Sequence, residues 1–224
     1  MSSPLLPFVD VNPSKPHDAV VIWLHGLGDS GNGFAPIVPQ LNIPSEYAIR
    51  FVFPHAPIRP VTINNGFEMR AWYDIKSMDF ENRADRAGVE ESVKLVENLI
   101  QSEIDKGIAP ERIVLAGFSQ GGVIAYHLSL RYPHQLAGIM CLSTYMCDNE
   151  PDEVNWLSAN KSTPILVGHG KWDDVIPPEL GKLAYSRLNE LGYNIEWKEY
   201  PMQHNVCLEQ TQYISQWLQQ RFKV

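Results

Sequence analysis

Short apolar runs rich in β-branched residues recur along the chain, separated by segments of helical period. The run His17–Leu24 reads His-Asp-Ala-Val-Val-Ile-Trp-Leu, apolar without alternation over its second part. A strand with one wet face would alternate, so this pattern predicts a strand covered on both faces. Similar runs stand at Ile49–Phe53, Arg112–Ala116, Ala137–Leu142, Pro164–Gly168 and Asn194–Tyr200. Between them, Ala84–Lys106 carries Val89, Val93, Val96, Leu99 and Ile100 at spacings that put them on one helical face. Ser119–Arg131, Glu179–Leu191 and Cys207–Phe222 read as further helices. Strands alternating with helices imply parallel crossovers, hence a mostly parallel central sheet with helices on both faces and functional sites at the strands' carboxyl ends. The chain has no internal repeat or Gly/Ser linker, so one domain over residues 1–224 is expected.

Pro54–Phe80 fits neither period and reads as one long irregular stretch, with Ile58, Val61, Ile63, Phe67, Met69, Trp72 and Tyr73 spread along it. These side chains either line a cleft for an apolar substrate or fold the excursion onto the core. The pattern does not choose.

Composition narrows the partners. At 44% hydrophobic and 20% charged residues the chain is globular rather than disordered. A formal net charge of −8 opposes binding to nucleic acid, which needs clustered Lys and Arg. The first residues lack the basic and apolar regions of a secretory signal, and no run is long enough to span a membrane. The three cysteines, Cys141, Cys147 and Cys207, form no CxxC pair and cannot all pair internally, which suits a reducing compartment. A soluble cytoplasmic protein is expected. His204-x-x-Cys207 lacks the second ligand pair a metal would need, so no metal is expected.

The chemistry-bearing residues stand where strands end. Directly after Arg112–Ala116 comes Gly117-Phe118-Ser119-Gln120-Gly121-Gly122, then a helix: the G-x-S-x-G nucleophile elbow in its strand–turn–helix setting. Side chains at 117 or 121 would collide with neighbouring backbone in such an elbow. A serine hydroxyl needs a base and an orienting acid. His169-Gly170-Lys171-Trp172-Asp173-Asp174 supplies carboxylates after the strand Pro164–Gly168, and Tyr200-Pro201-Met202-Gln203-His204 supplies a histidine after the last strand. The order Ser, Asp, His is that of the α/β-hydrolase fold. Of the other histidines, His17, His127 and His134 sit in surface-like or helical contexts, His169 fixes the acid's turn, and His25 belongs to the first loop. That loop, His25-Gly26-Leu27-Gly28-Asp29-Ser30-Gly31, follows the strand His17–Leu24, and with the Gln120 amide its Leu27 amide is the candidate oxyanion hole. The same glycines match the dinucleotide fingerprint G-x-G-x-x-G, but the strand that should end in a ribose-binding carboxylate ends Phe51-Val52-Phe53-Pro54-His55. An oxidoreductase on that loop would also leave the Ser, Asp and His turns unexplained.

With these residues assembled, the chain resembles the acyl-protein thioesterase/carboxylesterase (phospholipase/carboxylesterase) family of α/β-hydrolases over roughly His17 to Phe222. The resemblance rests on Trp23-Leu24-His25-Gly26-Leu27-Gly28-Asp29, Pro54-His55-Ala56-Pro57, Val61-Thr62-Ile63-Asn64, Trp72-Tyr73-Asp74-Ile75, Leu115–Gly122 and Leu142-Ser143-Thr144-Tyr145. It implies a triad of Ser119, Asp173 and His204, with Leu27 and Gln120 as oxyanion donors and Ile63, Met69, Trp72 and Tyr73 on a segment beside an acyl channel. It also implies hydrolysis of carboxylic esters and thioesters, including S-acyl groups on proteins or lysophospholipids, without a cofactor, by a monomer or weak homodimer. Two departures are visible: many relatives have Asp-Pro where this chain has Asp173-Asp174, and Gly where it has Gln203. A non-catalytic acyl-binding protein on the same fold is the alternative.

Overall fold

The computed structural model describes residues 5–77, 79, 83–147 and 156–223. Its framework is a seven-stranded sheet in the order β1-β3-β2-β6-β7-β8-β9. The strands are β1 (Phe8–Val11), β2 (Ala19–Leu24), β3 (Ile49–Pro54), β6 (Ile113–Phe118), β7 (Gly138–Leu142), β8 (Ile165–Gly170) and β9 (Ile195–Tyr200). All neighbours pair in parallel except β1, which runs antiparallel to β3 at the edge. The six strands expected from the apolar runs are present, and the mostly parallel sheet follows from their crossovers.

Alternate residues of these strands feed two separate cores. Val20, Ile22, Leu24, Leu115, Ile139, Cys141 and Val167 face one way, against α3 (Arg86–Asp105), α4 (Gln120–Arg131) and α5 (Pro178–Glu190). Val21, Trp23, Phe51, Phe53, Ala116 and Met140 face the other way, against α2 (Ile37–Leu41) and α6 (Leu208–Arg221). Every residue of β2 is buried, which is why its sequence shows no polar alternation. In α3 the expected stripe of Val89, Val93, Val96, Leu99 and Ile100 lies inward, and Asp85 caps the first turn by accepting from the Gly88 amide.

The stretch Pro54–Phe80 departs from the expected irregular loop. It folds as a two-stranded antiparallel hairpin, β4 (Ile58–Val61) with β5 (Phe67–Arg70). Its strands carry Arg59, Pro60, Glu68 and Arg70 and bury little, so neither period is legible in them. Residues 78 and 80 of that stretch lie outside the described residues. Two short helices were also unpredicted, α1 (Gly31–Phe34) and α2, of four and five residues. Among the described residues no helix is long and apolar enough to cross a membrane.

Candidate active site

Three strand ends and the loop after β2 converge at the carboxyl edge of the sheet. At the end of β6 the chain turns sharply into α4, and Ser119 sits on that turn at φ 52°, ψ −118°. A non-glycine residue in such a conformation stores about 1–3 kcal/mol of strain, which the surroundings must hold. They do so through hydrogen bonds: the Ser119 amide donates to Leu142 O (2.8 Å), and the Thr144 hydroxyl donates to Ser119 O (2.7 Å). Glycine is required on both sides: a Cβ at 117 would run into the Gly121 backbone, and one at 121 would lie 2.6 Å from Leu24 O.

The turn after β8 brings in the acid. Asp173 is buried, and both carboxylate oxygens are used. Oδ1 accepts from the amides of Val175 (3.0 Å) and Ile176 (2.8 Å), while Oδ2 lies 2.7 Å from His204 Nδ1. Burial by itself would raise the Asp173 pKa, but the hydrogen bonds from His204 and the two amides outweigh it and hold the carboxyl below its ordinary value. It is therefore an anion at neutral pH. Asp174 points into solvent. The turn after β9 brings His204, whose Nε2 lies 2.9 Å from Ser119 Oγ and whose ring packs on Phe118 with centroids 4.9 Å apart. Since Nδ1 faces a carboxylate it carries the proton, and Nε2 is left as the acceptor toward the serine.

The loop after β2 closes the site. Gly28, at φ +76°, donates its amide to Arg70 O (2.9 Å), tying the loop to the hairpin. His25 is buried and its pKa is lowered by that burial; Nε2 accepts from the Ala56 amide (3.1 Å), so the ring is neutral with its proton on Nδ1, donated to Gly26 O (2.7 Å). The amides of Leu27 and Gln120 have no protein acceptor among the described residues. Both residues line, with Ser119 and His204, a cleft of about 260 Å³ that is walled further in by Tyr73, Ile75, Tyr145, Val175 and Ile176.

Residues 7–221 match the model of the phospholipase/carboxylesterase family. The chain belongs to that family. Acyl-protein thioesterase 1 of Gibberella zeae is 39% identical over 214 residues, covering 92% of this chain and 91% of that protein. Carboxylesterase SOBER1 of Arabidopsis thaliana is 36% identical over 206 residues, covering 91% and 90%. The crystal structure of SOBER1 matches with a TM-score of 0.86 at 35% identity, over 92% of this chain and 99% of that one. That of Zea mays acyl-protein thioesterase 2 gives 0.80 at 26% identity, over 96% and 99%. The fold is thus the α/β-hydrolase fold, and the chain is an ester-bond hydrolase. The dinucleotide reading of Gly26–Gly31 is set aside with it, because the loop opens a helix of only four residues and folds over Ser119 instead.

Within this phospholipase/carboxylesterase fold the four residues expected beside an acyl channel separate. Tyr73 lines the cleft, and its hydroxyl lies 3.1 Å from that of Tyr145. Trp72 does not: it is fully buried behind the wall, because its indole N–H donates to His25 O (2.8 Å) and its amide donates to Gln120 Oε1 (2.8 Å). Gln120 Nε2 in turn donates to Tyr73 O (2.7 Å). The Trp72–Tyr73 segment is therefore a clasp joining the two segments that carry the Leu27 and Gln120 amides. Ile63 and Met69 are half-buried, pack on the core and are not among the residues lining the cleft. His169 does fix the acid's turn, its Nε2–H donating to Ile176 O (2.8 Å). His127 lies on α4 as expected but is buried, with Nδ1 3.3 Å from Cys147 Sγ. Reading the sequence missed Ile75, Tyr145, Val175 and Ile176. Tyr145 carried a signal, standing just past the end of β7 on the functional edge.

Proposed function

We propose that the chain is a single-domain cytoplasmic serine hydrolase that cleaves acyl thioesters and esters through an acyl-enzyme on Ser119. The observation that supports this most is the unbroken relay from Asp173 Oδ2 to His204 (2.7 Å) and from His204 to Ser119 Oγ (2.9 Å), beside two amides without a protein acceptor among the described residues. Ser119 Oγ attacks the acyl carbon as its proton passes to His204 Nε2, and the carbonyl oxygen takes the negative charge against the Leu27 and Gln120 amides. The C–S or C–O bond then breaks and the proton on His204 goes to the leaving sulfur or oxygen. Water, deprotonated by the same imidazole, attacks the acyl-enzyme and releases the acid. Asp173 holds the Nδ1–H tautomer and stabilises the imidazolium. Every step is carried by side chains and amides of the chain itself.

The relatives named acyl-protein thioesterase support a thioester substrate, and the largely apolar cleft wall of Tyr73, Ile75, Tyr145, Val175 and Ile176 supports an acyl chain as its occupant. A panel of 4-nitrophenyl esters and S-acyl cysteine peptides over increasing acyl length tests this. Hydrolysis of both, lost in Ser119→Ala with folding retained, is expected. Full turnover by Ser119→Ala would overturn the reading.

A further inference from the structure

Acyl transfer fixes where the leaving group must go. The imidazole that takes the serine proton must hand it to the departing heteroatom, so that atom sits beside His204 Nε2 and away from the oxyanion amides. A second cleft, of about 300 Å³, meets these conditions. It shares Asp29, Phe118 and His204 with the first cleft but includes none of Ser119, Leu27 and Gln120. Its other walls come from elements the first does not use: α1 and α2 through Phe34, Ile37 and Gln40, the turn into α6 through Asn205 and Val206, and α6 itself through Thr211.

Resting on the serine-hydrolase reading above, we propose that this second cleft is the leaving-group site, and that it favours a peptide cysteine flanked by basic residues over a leaving group that carries an anion. The walls alternate apolar surface from Phe34, Ile37 and Val206 with amide and hydroxyl groups from Gln40, Asn205 and Thr211, a surface that suits a polypeptide. Their only charged group is the carboxylate of Asp29, and no Lys or Arg is among the lining residues. Asp29 is fixed in place: Oδ1 accepts from the Ser30 amide (2.7 Å), and the carboxylate rests against Gly33 so closely that a Cβ there would collide with it. A leaving group with a phosphate or an acidic flank meets an uncompensated negative charge, and one with a lysine meets its complement.

The test compares two S-octanoyl cysteine peptides that differ only in having Lys or Glu beside the cysteine, with kcat/KM measured at low salt and 4-nitrophenyl octanoate assayed in parallel. The wild type is expected to prefer the Lys peptide by about three- to tenfold, as one partly screened charge pair allows. The ratio should fall toward one in Asp29→Asn and in Gln40→Lys, the latter at an exposed position on α2. Glu111→Gln, exposed before the start of β6 at the opposite edge of the sheet, changes the net charge equally and should leave the ratio as it is. Because each variant is judged by a ratio, a general loss of activity does not mimic the effect. A ratio near one in the wild type, or one that Glu111→Gln lowers as much as Asp29→Asn, would overturn the proposal while Ser119-dependent ester hydrolysis persists. Absence of that hydrolysis would instead remove the reading on which the proposal rests.

Discussion

Replacing Trp72 by Phe keeps an aromatic ring in the core and removes one hydrogen bond, from the indole N–H to His25 O (2.8 Å). The stability cost has two parts. A buried carbonyl left without its donor costs about 1–3 kcal/mol, and the smaller ring adds about 1 kcal/mol of cavity. At roughly 2–4 °C per kcal/mol for a chain of this size, Tm should fall by about 4–16 °C. The catalytic cost arises because His25 O lies two residues before the Leu27 amide, on the same loop. Removing an oxyanion donor altogether costs about 10²–10³ in kcat, so loosening one should cost roughly 10- to 100-fold. Trp72 is not one of the residues lining the cleft, so acetyl and octanoyl esters should lose kcat alike, with KM nearly unchanged. The assay is kcat and KM for 4-nitrophenyl acetate and octanoate, at a temperature well below the variant's Tm. A loss confined to octanoate would return Trp72 to the acyl channel. Unchanged kcat in a protein destabilised as expected would show that the clasp supports the fold and not the oxyanion hole.

Asp173→Asn should lower kcat by on the order of 10⁴, since the amide can hold His204 in the wrong tautomer and carries no charge; Asp174→Asn, at an exposed position, should cost less than about tenfold on the same ester. The reverse ranking would shift the acid by one residue. Glu103 should link stability to acid pH: burial alone would raise its pKa, but the hydrogen bonds from Lys106 and Arg50 outweigh this and hold it below the ordinary glutamate value. A depressed carboxyl stabilises the fold above its unfolded pKa and loses that contribution as pH falls through the folded one. Glu103→Gln, which leaves the buried Arg50 with the partly exposed Asp10 (3.2 Å) in place of its buried partner, should therefore cost about 1–3 kcal/mol at pH 7 and much less near pH 3, read as the gap in urea midpoints between variant and wild type. A gap of equal size at both pH values would contradict the assignment.

The parts of the molecule legible in the sequence are those where one local rule dominates. The parallel strands are buried on both faces, so β2 and β6 show as unbroken apolar runs. The elbow shows because its sharp turn leaves no room for a side chain two residues before or after Ser119. The edge strand β1 was not legible: four residues with Asp10 among them carry too little period. The β4–β5 hairpin was hidden for a related reason, since Ile58 and Phe67 are exposed and its other positions are mixed. Trp72 was marked by its motif but not by its direction, because an indole can face a ligand or a carbonyl with the same neighbours in sequence. The second cleft was not legible at all. It joins α1 and α2 to the turn after β9, from far-apart parts of the chain.

In the proposed reaction Ser119 Oγ carries the acyl group, and trapping that group on the serine tests the assignment directly. Wild-type protein mixed with excess S-octanoyl thioester and quenched in acid within the first turnover should gain, by intact mass, one octanoyl group in place of one hydrogen. Peptide mapping should place the group on Ser119, and Ser119→Ala should gain nothing. Rapid product release without any adduct on the wild type, or an adduct mapped to another residue and retained in Ser119→Ala, would contradict it.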